Sequence, residues 1–247
     1  MGAAKKINRA DENAISISPC GRPPKDHRLM IEAILHRLRV GCPWRDLPQG
    51  FGSWSSVYTR WSRWNHSGLW QKILTLLADT GAVGELRHLD ATHIKVHQDA
   101  NACGSQCFQA IGSTKGGRNT KVTALVDGAG RAVQISLAEG QRADVKAAEA
   151  IQTPEGKRVV ADKGYDSDSL RNRFAAEGAT TSIAPKSNRR SKVPFHRGYY
   201  RLRHRVENLF QRLKRFRAVG TRYDKSDVHF GGGVYLSAVI DWLKFGV

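Results

Sequence analysis

The hydrophobic positions of the first eighty residues follow a helical period. Apolar side chains recur every three or four residues in three successive stretches, which is the spacing of a buried helix face. Asp26 can cap the first stretch, and Gly41 ends it. Ser53 or Ser55 can cap the second, and the third runs from Leu69 towards Leu77. Three short helices joined by tight turns predict a small all-α module that resembles a helix-turn-helix.

After the glycines at positions 81 and 84, the hydrophobic pattern becomes strand-like. Leu86 to Val96 is predicted as a strand, and Gly128-Ala129-Gly130 separates two further strands as a hairpin turn would. Strands and helices then alternate, with strands at 157–161 and 180–185 and helices at 143–151, 169–177 and 199–217. Three antiparallel strands followed by strand–helix units are typical of ribonuclease-H-like folds. The predicted fold class is therefore α/β, a ribonuclease-H-like mixed sheet flanked by helices and preceded by the small all-α module.

The net charge narrows the class of partner. The 247 residues carry 40 Lys and Arg against 22 Asp and Glu, a formal charge of +18, and this balance indicates an anionic polymer, either nucleic acid or an acidic membrane surface. Residues 186–225 contain 14 of these cations and only two acids, Glu207 and Asp224, among several aromatic residues. This concentration suits neutralisation of phosphates. A solvated basic surface without a ligand is the alternative.

Three acidic residues are the candidates for chemistry. Asp90 lies inside the first predicted strand, Asp162 ends the fourth, and Glu207 lies on the long helix. A carboxylate within an apolar strand is costly unless it is paired or binds a metal, and ligands bind at the carboxyl edge of open α/β sheets. Taken singly, each acid has a structural explanation, as a turn cap, a solvent-facing residue or an ion-pair partner. Together they could hold two Mg²⁺ ions for a phosphodiester displacement.

The long helix aligns Glu207 with other polar groups. At 100° per residue, Tyr200, Arg203, Glu207 and Lys214 fall within an arc of roughly 60°. Leu202, Val206, Leu209 and Leu213 occupy the adjoining arc, which would pack on the sheet. Glu207 is therefore expected at the edge of the buried stripe, between cations that could position phosphates.

These residues resemble a known family. The spacing Tyr200-x2-Arg203-x3-Glu207-x6-Lys214 resembles the tyrosine-arginine-glutamate-lysine signature of bacterial insertion-sequence DDE transposases. Further segments are similar to the insertion sequence 5 family: residues 41–48, 89–93, 109–121, 161–167, 205–217 and 221–225. The similarity extends from about Gly21 to the end of the chain, and the motifs occur in the family's order.

The resemblance implies an enzyme in which Asp90, Asp162 and Glu207 hold two Mg²⁺ or Mn²⁺ ions. Metal-activated water would cut the transposon end, and the freed 3′-hydroxyl would attack double-stranded target DNA without a covalent enzyme intermediate. The residues implied to contact DNA are Tyr200, Arg203, Lys214, Arg212, Arg217 and Lys163. The helical module would bind terminal inverted repeats, and a synaptic complex would need at least two protomers, a homo-oligomer on DNA.

The predicted domains follow from the same reasoning. Residues 1–20 are expected to form a loose leader, 21–80 the helical DNA-binding module and 85–247 the ribonuclease-H-like catalytic domain, with the terminal helix covering the sheet. The glycines at 231–233 are expected to form a flexible hinge before that helix. No apolar run reaches the roughly 18 residues of a membrane span. The four cysteines are sparse, which favours reduced thiols in a cytoplasmic protein.

For several histidines, cysteines and one aspartate near these motifs, a structural role is favoured over a functional one. His93, His97, Cys103 and Cys107 match no common zinc finger, so exposed polar residues in a loop are favoured over a zinc site. His88 is expected to face solvent or to be satisfied by hydrogen bonds. Asp144 could approach the metals, but capping a helix is the favoured role.

Two other functions remain open at this stage. A non-catalytic DNA-binding protein, such as a repressor, would bind terminal repeats without needing metal. A ribonuclease-H-like nuclease would hydrolyse DNA or RNA without strand transfer. Products formed from pre-cleaved ends distinguish the second alternative from a transposase.

Overall fold

The computed structural model describes residues 26–101, 109–153, 155–191 and 193–245. The predicted leader and the cysteines at 103 and 107 lie outside these residues. The three predicted N-terminal helices are confirmed: α1 His27–Val40, α2 Trp54–His66 and α3 Leu69–Gly81. Asp26 caps α1 by accepting a hydrogen bond from the Arg28 amide, and Gly41 ends that helix with φ 75°, a left-handed conformation that glycine adopts without a steric penalty.

A seven-stranded mixed sheet follows the three helices. Its strands are β1 Leu86–Val96, β2 Gly112–Thr114, β3 Gly117–Val126, β4 Ala132–Glu139, β5 Arg158–Ala161, β6 Thr180–Ile183 and β7 Thr221–Arg222. β1, β3 and β4 are antiparallel neighbours, whereas β5 and β6 continue the sheet from β1 in parallel. The predicted hairpin is confirmed. Sequence reasoning missed β2 and β7, which are too short to show a period.

The helices that follow β4 along the chain differ from prediction at several points. They are α4 Asp144–Ala147, α5 Asp168–Ala176, α6 Arg197–Arg201, α7 His204–Lys214, α8 Arg217–Gly220 and α9 Asp227–Phe245. The prediction of one helix over 199–217 was wrong, because three short helices occupy that range. Phe216 separates α7 from α8 with an extended backbone, ψ 108°, and its ring is buried in the core. A tertiary contact therefore interrupts a pattern that is periodic in sequence.

The predicted hinge at the glycine triplet was also wrong. Gly231, Gly232 and Gly233 lie buried inside α9. A Cβ on Gly232 would overlap the side-chain amide of Asn65 on α2, and one on Gly233 would come within 3.2 Å of Leu38 on α1. The glycines thus let α9 lie close against the N-terminal helices.

The sheet has a hydrophobic core on each face. The larger core joins the N-terminal helices to the sheet, since Trp61 of α2 and Ile94 of β1 belong to one cluster with Leu209 of α7 and Trp242 of α9. The smaller core contains Leu89 and Phe174. The terminal helix α9 therefore covers one face of the sheet, as predicted. Among the described residues, none of the helices combines the length and the apolar character that crossing a membrane requires.

Candidate active site

Two of the three predicted carboxylates meet because their strands are parallel neighbours. In the register of β1 and β5, Leu89 pairs with Ala161. Asp90 is the next residue on β1, and Asp162 is the residue that follows β5. The backbone thus places the two acids side by side at the carboxyl end of β5, although 72 positions separate them in sequence.

Asp90 is a partly buried carboxylate, 19% exposed at its side chain. Its Oδ1 accepts a hydrogen bond from the Ala91 amide at 2.8 Å, and its Oδ2 accepts one from Arg203 Nη2 at 2.6 Å. Burial raises the pKa of Asp90, and the negative charge of Asp162 adds to that rise, against the opposing effect of Arg203. A divalent cation would relieve both unfavourable effects.

Glu207 lies beside this pair but is not joined to it directly. It is in the first turn of α7 and its side chain is 54% exposed. Arg203 Nη2 lies 3.7 Å from Glu207 Oε1, so a single guanidinium contacts both Asp90 and Glu207. Arg203 also lies 5.4 Å from the centre of the Tyr200 ring. Four of the predicted site residues therefore form one connected group.

Asp162 lies in a tight turn beside a further acidic residue, Asp144. Its side chain accepts a hydrogen bond from the Gly164 amide, which caps the short helix Lys163–Tyr165. Asp144 approaches the same glycine, because a Cβ on Gly164 would lie 2.9 Å from Asp162 Oδ1 and 3.0 Å from Asp144 Oδ2. The helix-capping role predicted for Asp144 was wrong: Ala143 occupies the capping position of α4, and Asp144 is the first helical residue.

The sequence reasoning also missed a lysine next to Asp144. Lys121 is on β3, its side chain is 5% exposed, and its Nζ lies 2.6 Å from Asp144 Oδ1. It also donates a hydrogen bond to the Arg142 carbonyl. A lysine within the apolar part of β3 is costly without an anionic partner, and that position was the signal available in the sequence.

The remaining predicted cations occupy different positions. Lys214 Nζ donates to Thr92 Oγ1 at 2.7 Å, on the same face of β1 as Asp90, and burial lowers its pKa. Lys163 and Arg217 are exposed. Arg212 is not brought to the site: its guanidinium binds the Asp241 carboxylate at 2.7 and 2.9 Å and the Gly130 carbonyl at 2.7 Å.

His88 also differs from expectation. It is completely buried, and both ring nitrogens are without a hydrogen-bond partner among the described residues. Burial, together with the nearby charges of Arg205, His204 and Arg203, lowers its pKa to about 4. His88 is therefore a neutral group at pH 7, two residues from Asp90 on the same face of β1.

The histidines of the rejected zinc pattern have other partners. His93 Nδ1 lies 2.8 Å from Asn119 Oδ1, while His97 is 3.2 Å from Asp99 and stacks on Tyr223.

The donor set suits a hard divalent cation more than a soft one. Its candidate ligands are carboxylate oxygens, the atoms that Mg²⁺ and Mn²⁺ prefer. Within the part of the chain that the structure describes, no three His, Cys, Asp or Glu side chains are grouped closely enough to hold a metal ion as they stand. The arrangement is therefore a pair of adjacent carboxylates, Asp90 and Asp162, with Glu207 and Asp144 on either flank.

Comparisons with known proteins agree with these motifs. Residues 82–231 match the transposase DDE domain family, and residues 11–74 match DUF4096, described as transposases of the IS4/5 family. A Brucella ovis protein named for the transposase of insertion sequence element IS6501 is 33% identical over 130 residues, which span 51% of this chain and 98% of the relative. An uncharacterised Sinorhizobium fredii protein, y4sN, is 35% identical over 78 residues, 32% of this chain and 62% of the relative.

Two transposase complexes are among the solved structures that align with this chain, both at low similarity. The piggyBac transposase synaptic complex with hairpin DNA aligns with a TM-score of 0.49 at 10% identity, covering 98% of this chain and 71% of that one. A pre-cleavage Mos1 transpososome aligns with a TM-score of 0.26 at 10% identity, covering 98% and 88%. Because the DDE domain model alone spans more than half of the sequence, the chain belongs to the DDE transposases of insertion sequences, enzymes that cut and move DNA.

Proposed function

We propose that Asp90, Asp162 and Glu207 hold two divalent cations, Mg²⁺ or Mn²⁺, in a ribonuclease-H-like core, and that this site cuts the ends of the element and joins them to target DNA. DDE transposase domains use divalent metal ions. The observation that carries the proposal is the parallel register of β1 and β5, since it sets Asp90 beside Asp162. Bound cations would stabilise the charge that develops on the attacking and leaving oxygens.

The reaction has two phosphoryl-transfer steps. In the first, the oxygen of water bonds to phosphorus at the transposon end, and the bond to the 3′-oxygen breaks, which frees a 3′-hydroxyl. In the second, that hydroxyl oxygen bonds to a target phosphorus and displaces the target's own 3′-oxygen. The number of phosphodiester bonds is unchanged in the second step, so it needs no external energy source.

The residues around the carboxylates would orient the DNA and the ligands. Arg203 holds Asp90 and Glu207 through one guanidinium, so its role is to fix their relative position and to compensate their charge. Lys214, Lys163 and Arg217 have side chains that can approach phosphates, and Tyr200 can stack or donate a hydrogen bond there. Arg212 is expected to stabilise the packing of α7 on α9 through Asp241.

The N-terminal helices are proposed to bind the terminal inverted repeats. In support, α2 presents Thr59 and Arg63 to solvent, next to the exposed Tyr58. Hydroxyl, guanidinium and aromatic groups are suited to phosphate and base contacts. Bringing two transposon ends together would require at least two protomers on the DNA.

The proposal is tested on DNA that carries the ends of the element, with Mg²⁺ or Mn²⁺ added. Glu207→Gln and Asp162→Asn are expected to abolish cutting while duplex binding stays nearly unchanged, because the basic surface remains. Glu85→Gln removes an exposed glutamate just before β1 and is the matched control. It should cut normally.

The outcomes separate the alternatives. Cutting by Glu207→Gln would remove that residue from the ligand set. Hydrolysis without joined product from pre-cleaved ends would favour a nuclease. Binding by the wild type without cutting under any metal would favour a DNA-binding protein.

A further inference from the structure

The flank of the site opposite Glu207 contains a second charged pair, Asp144 and Lys121. Asp144 begins α4, and its Oδ1 is held at 2.6 Å by the ammonium of Lys121. Lys121 is itself fixed, because it is buried and also donates to the Arg142 carbonyl. The carboxylate is thus anchored through one oxygen, and 40% of the side chain remains exposed to solvent.

The second oxygen of Asp144 faces Asp162 across a glycine. Both Asp144 Oδ2 and Asp162 Oδ1 lie about 3 Å from the point where a Cβ of Gly164 would stand. Any side chain at position 164 would occupy the space between the two carboxylates. Two carboxylate oxygens from different elements therefore approach one another beside Gly164, and carboxylate oxygens are the ligands that a hard divalent cation takes.

A buried hydroxyl with no hydrogen-bond partner in the part of the chain that the structure describes lies near these carboxylates. Tyr165 is 1% exposed, and its hydroxyl has no hydrogen-bond partner among the described residues. Burial raises its pKa, and the negative charges of Asp90, Asp144 and Asp162 raise it further, so the phenol lies within the field of all three carboxylates. A buried hydroxyl ordinarily has a partner, and a ligand held by the carboxylates would provide one.

We propose that Asp144 is a further ligand of the divalent cation that Asp162 binds, and that Lys121 positions it. This inference rests on the proposed function, since it adds a carboxylate to the same site. The pair Lys121–Asp144 presents one oxygen in a fixed direction, as hydrogen-bonded partners do for other metal-binding carboxylates. Gly164 is needed because it leaves the space between Asp144 and Asp162 open.

The test is a Mn²⁺ titration of the full chain without DNA, followed by the electron paramagnetic resonance signal of free Mn²⁺. Asp144→Asn and Gly164→Ala are each expected to weaken binding by about 10- to 100-fold. Asp79→Asn, which removes an exposed carboxylate from α3, and Gly50→Ala, whose added methyl group meets no atom within 4 Å, are the matched controls. Both controls should bind as the wild type does.

Lys121→Met separates positioning from simple electrostatics. Removing a positive charge would strengthen cation binding if charge alone mattered, whereas loss of the anchor of Asp144 would weaken it. We expect about tenfold weaker binding. Tighter binding by this variant would refute the positioning role.

Comparison with Asp162→Asn distinguishes failure of the proposed metal site from failure of the role proposed for Asp144. If the wild type does not bind Mn²⁺, or if Asp162→Asn binds it normally, the proposed metal site itself is wrong. If Asp162→Asn loses binding while both Asp144→Asn and Gly164→Ala bind as the wild type does, only the role of Asp144 is overturned. Thermal unfolding without metal is measured for every variant. If Asp144→Asn fails to fold, Gly164→Ala decides the question.

Discussion

Asp90 on β1 and Asp127 just after β3 each have an arginine partner, but they differ in how many hydrogen bonds they accept. Asp127 follows β3, where Val126 pairs with His88, and Asp90 lies two residues further along β1. Asp127 is completely buried and accepts hydrogen bonds from the Val83, Ala129 and Arg131 amides and from two nitrogens of the Arg131 guanidinium. Asp90 accepts one from the Ala91 amide and one from Arg203.

The pKa values of the two carboxyls reflect this difference. Burial alone would raise the pKa of Asp127, but the hydrogen bonds from Arg131 and Val83 outweigh burial and lower it. At Asp90 burial outweighs the contribution of Arg203, and the pKa is raised. A carboxylate that stabilises the fold is thus saturated with donors, whereas the one at the candidate site keeps lone pairs and negative charge available for a ligand.

The largest expected effect separates the two residues by activity. Asp90→Asn should lower the rate of DNA cutting by about a thousandfold or more, because the proposed function makes Asp90 a metal ligand, whose loss would remove several kcal/mol of transition-state stabilisation. Asp127→Asn should retain cutting within about threefold at temperatures where it stays folded. Rates are measured on the same end-bearing DNA with Mg²⁺. Comparable losses in both variants would contradict the division into a structural and a functional carboxylate.

For the free energy of unfolding, the larger loss is expected in the Asp127 variant. Asp127→Asn should lower the free energy of unfolding by about 3–5 kcal/mol, since it leaves the buried guanidinium of Arg131 without its anion. Asp90→Asn should change it by less than about 1 kcal/mol, since Arg203 keeps Glu207 nearby and Asp90 is incompletely buried. Urea unfolding of both variants without metal measures the difference. A larger loss for Asp90→Asn would mean that its ion pair is mainly structural.

The parts of this picture visible in sequence are those with local signals. The strand around Asp90, the hairpin and Asp162 at a strand end follow from alternation, glycine turns and the strand–helix order. The ion pair of Asp144 with Lys121 was not predicted, because the two residues are 23 positions apart and only the pairing of β3 with β4 brings them close. The cap interpretation used the local position of Asp144 alone.

The errors in the helices have the same origin. The break before α8 depends on Phe216 entering the core, and the buried glycines of α9 depend on contacts with Asn65 and Leu38. Both features depend on contacts with residues that are distant in sequence, so the local sequence pattern does not predict them. The period of residues 199–217 gave the buried face correctly, since Val206, Leu209 and Leu213 are all buried.

Exchanging Arg131 or Arg203 for lysine is expected to have a smaller effect on the free energy of unfolding. Arg131 donates to Asp127 and to the Gly81 carbonyl and lies 4.0 Å from the Trp242 ring centre. A lysine there would lose the fork geometry and the stacking, at a cost of about 1–3 kcal/mol of unfolding free energy. Arg203→Lys should cost less than about 1 kcal/mol. Urea unfolding of the two variants measures these costs, and equal costs would contradict the larger structural role of Arg131.

The smallest expected effect is on the pH dependence of stability, with opposite signs for the two carboxyls. The stability contributed by Asp127 is present above the ordinary aspartate pKa of 3.8 and is lost as the pH falls through the lower folded value. The contribution of Asp90 is present below 3.8 and is lost as the pH rises through its higher folded value. Relative to wild type, Asp127→Asn should therefore become less destabilised below pH 3.8, while Asp90→Asn should improve as the pH rises above it. Urea unfolding in steps from about pH 3 to 6, without metal, gives the two difference curves, and slopes of the same sign would show that the two environments are alike.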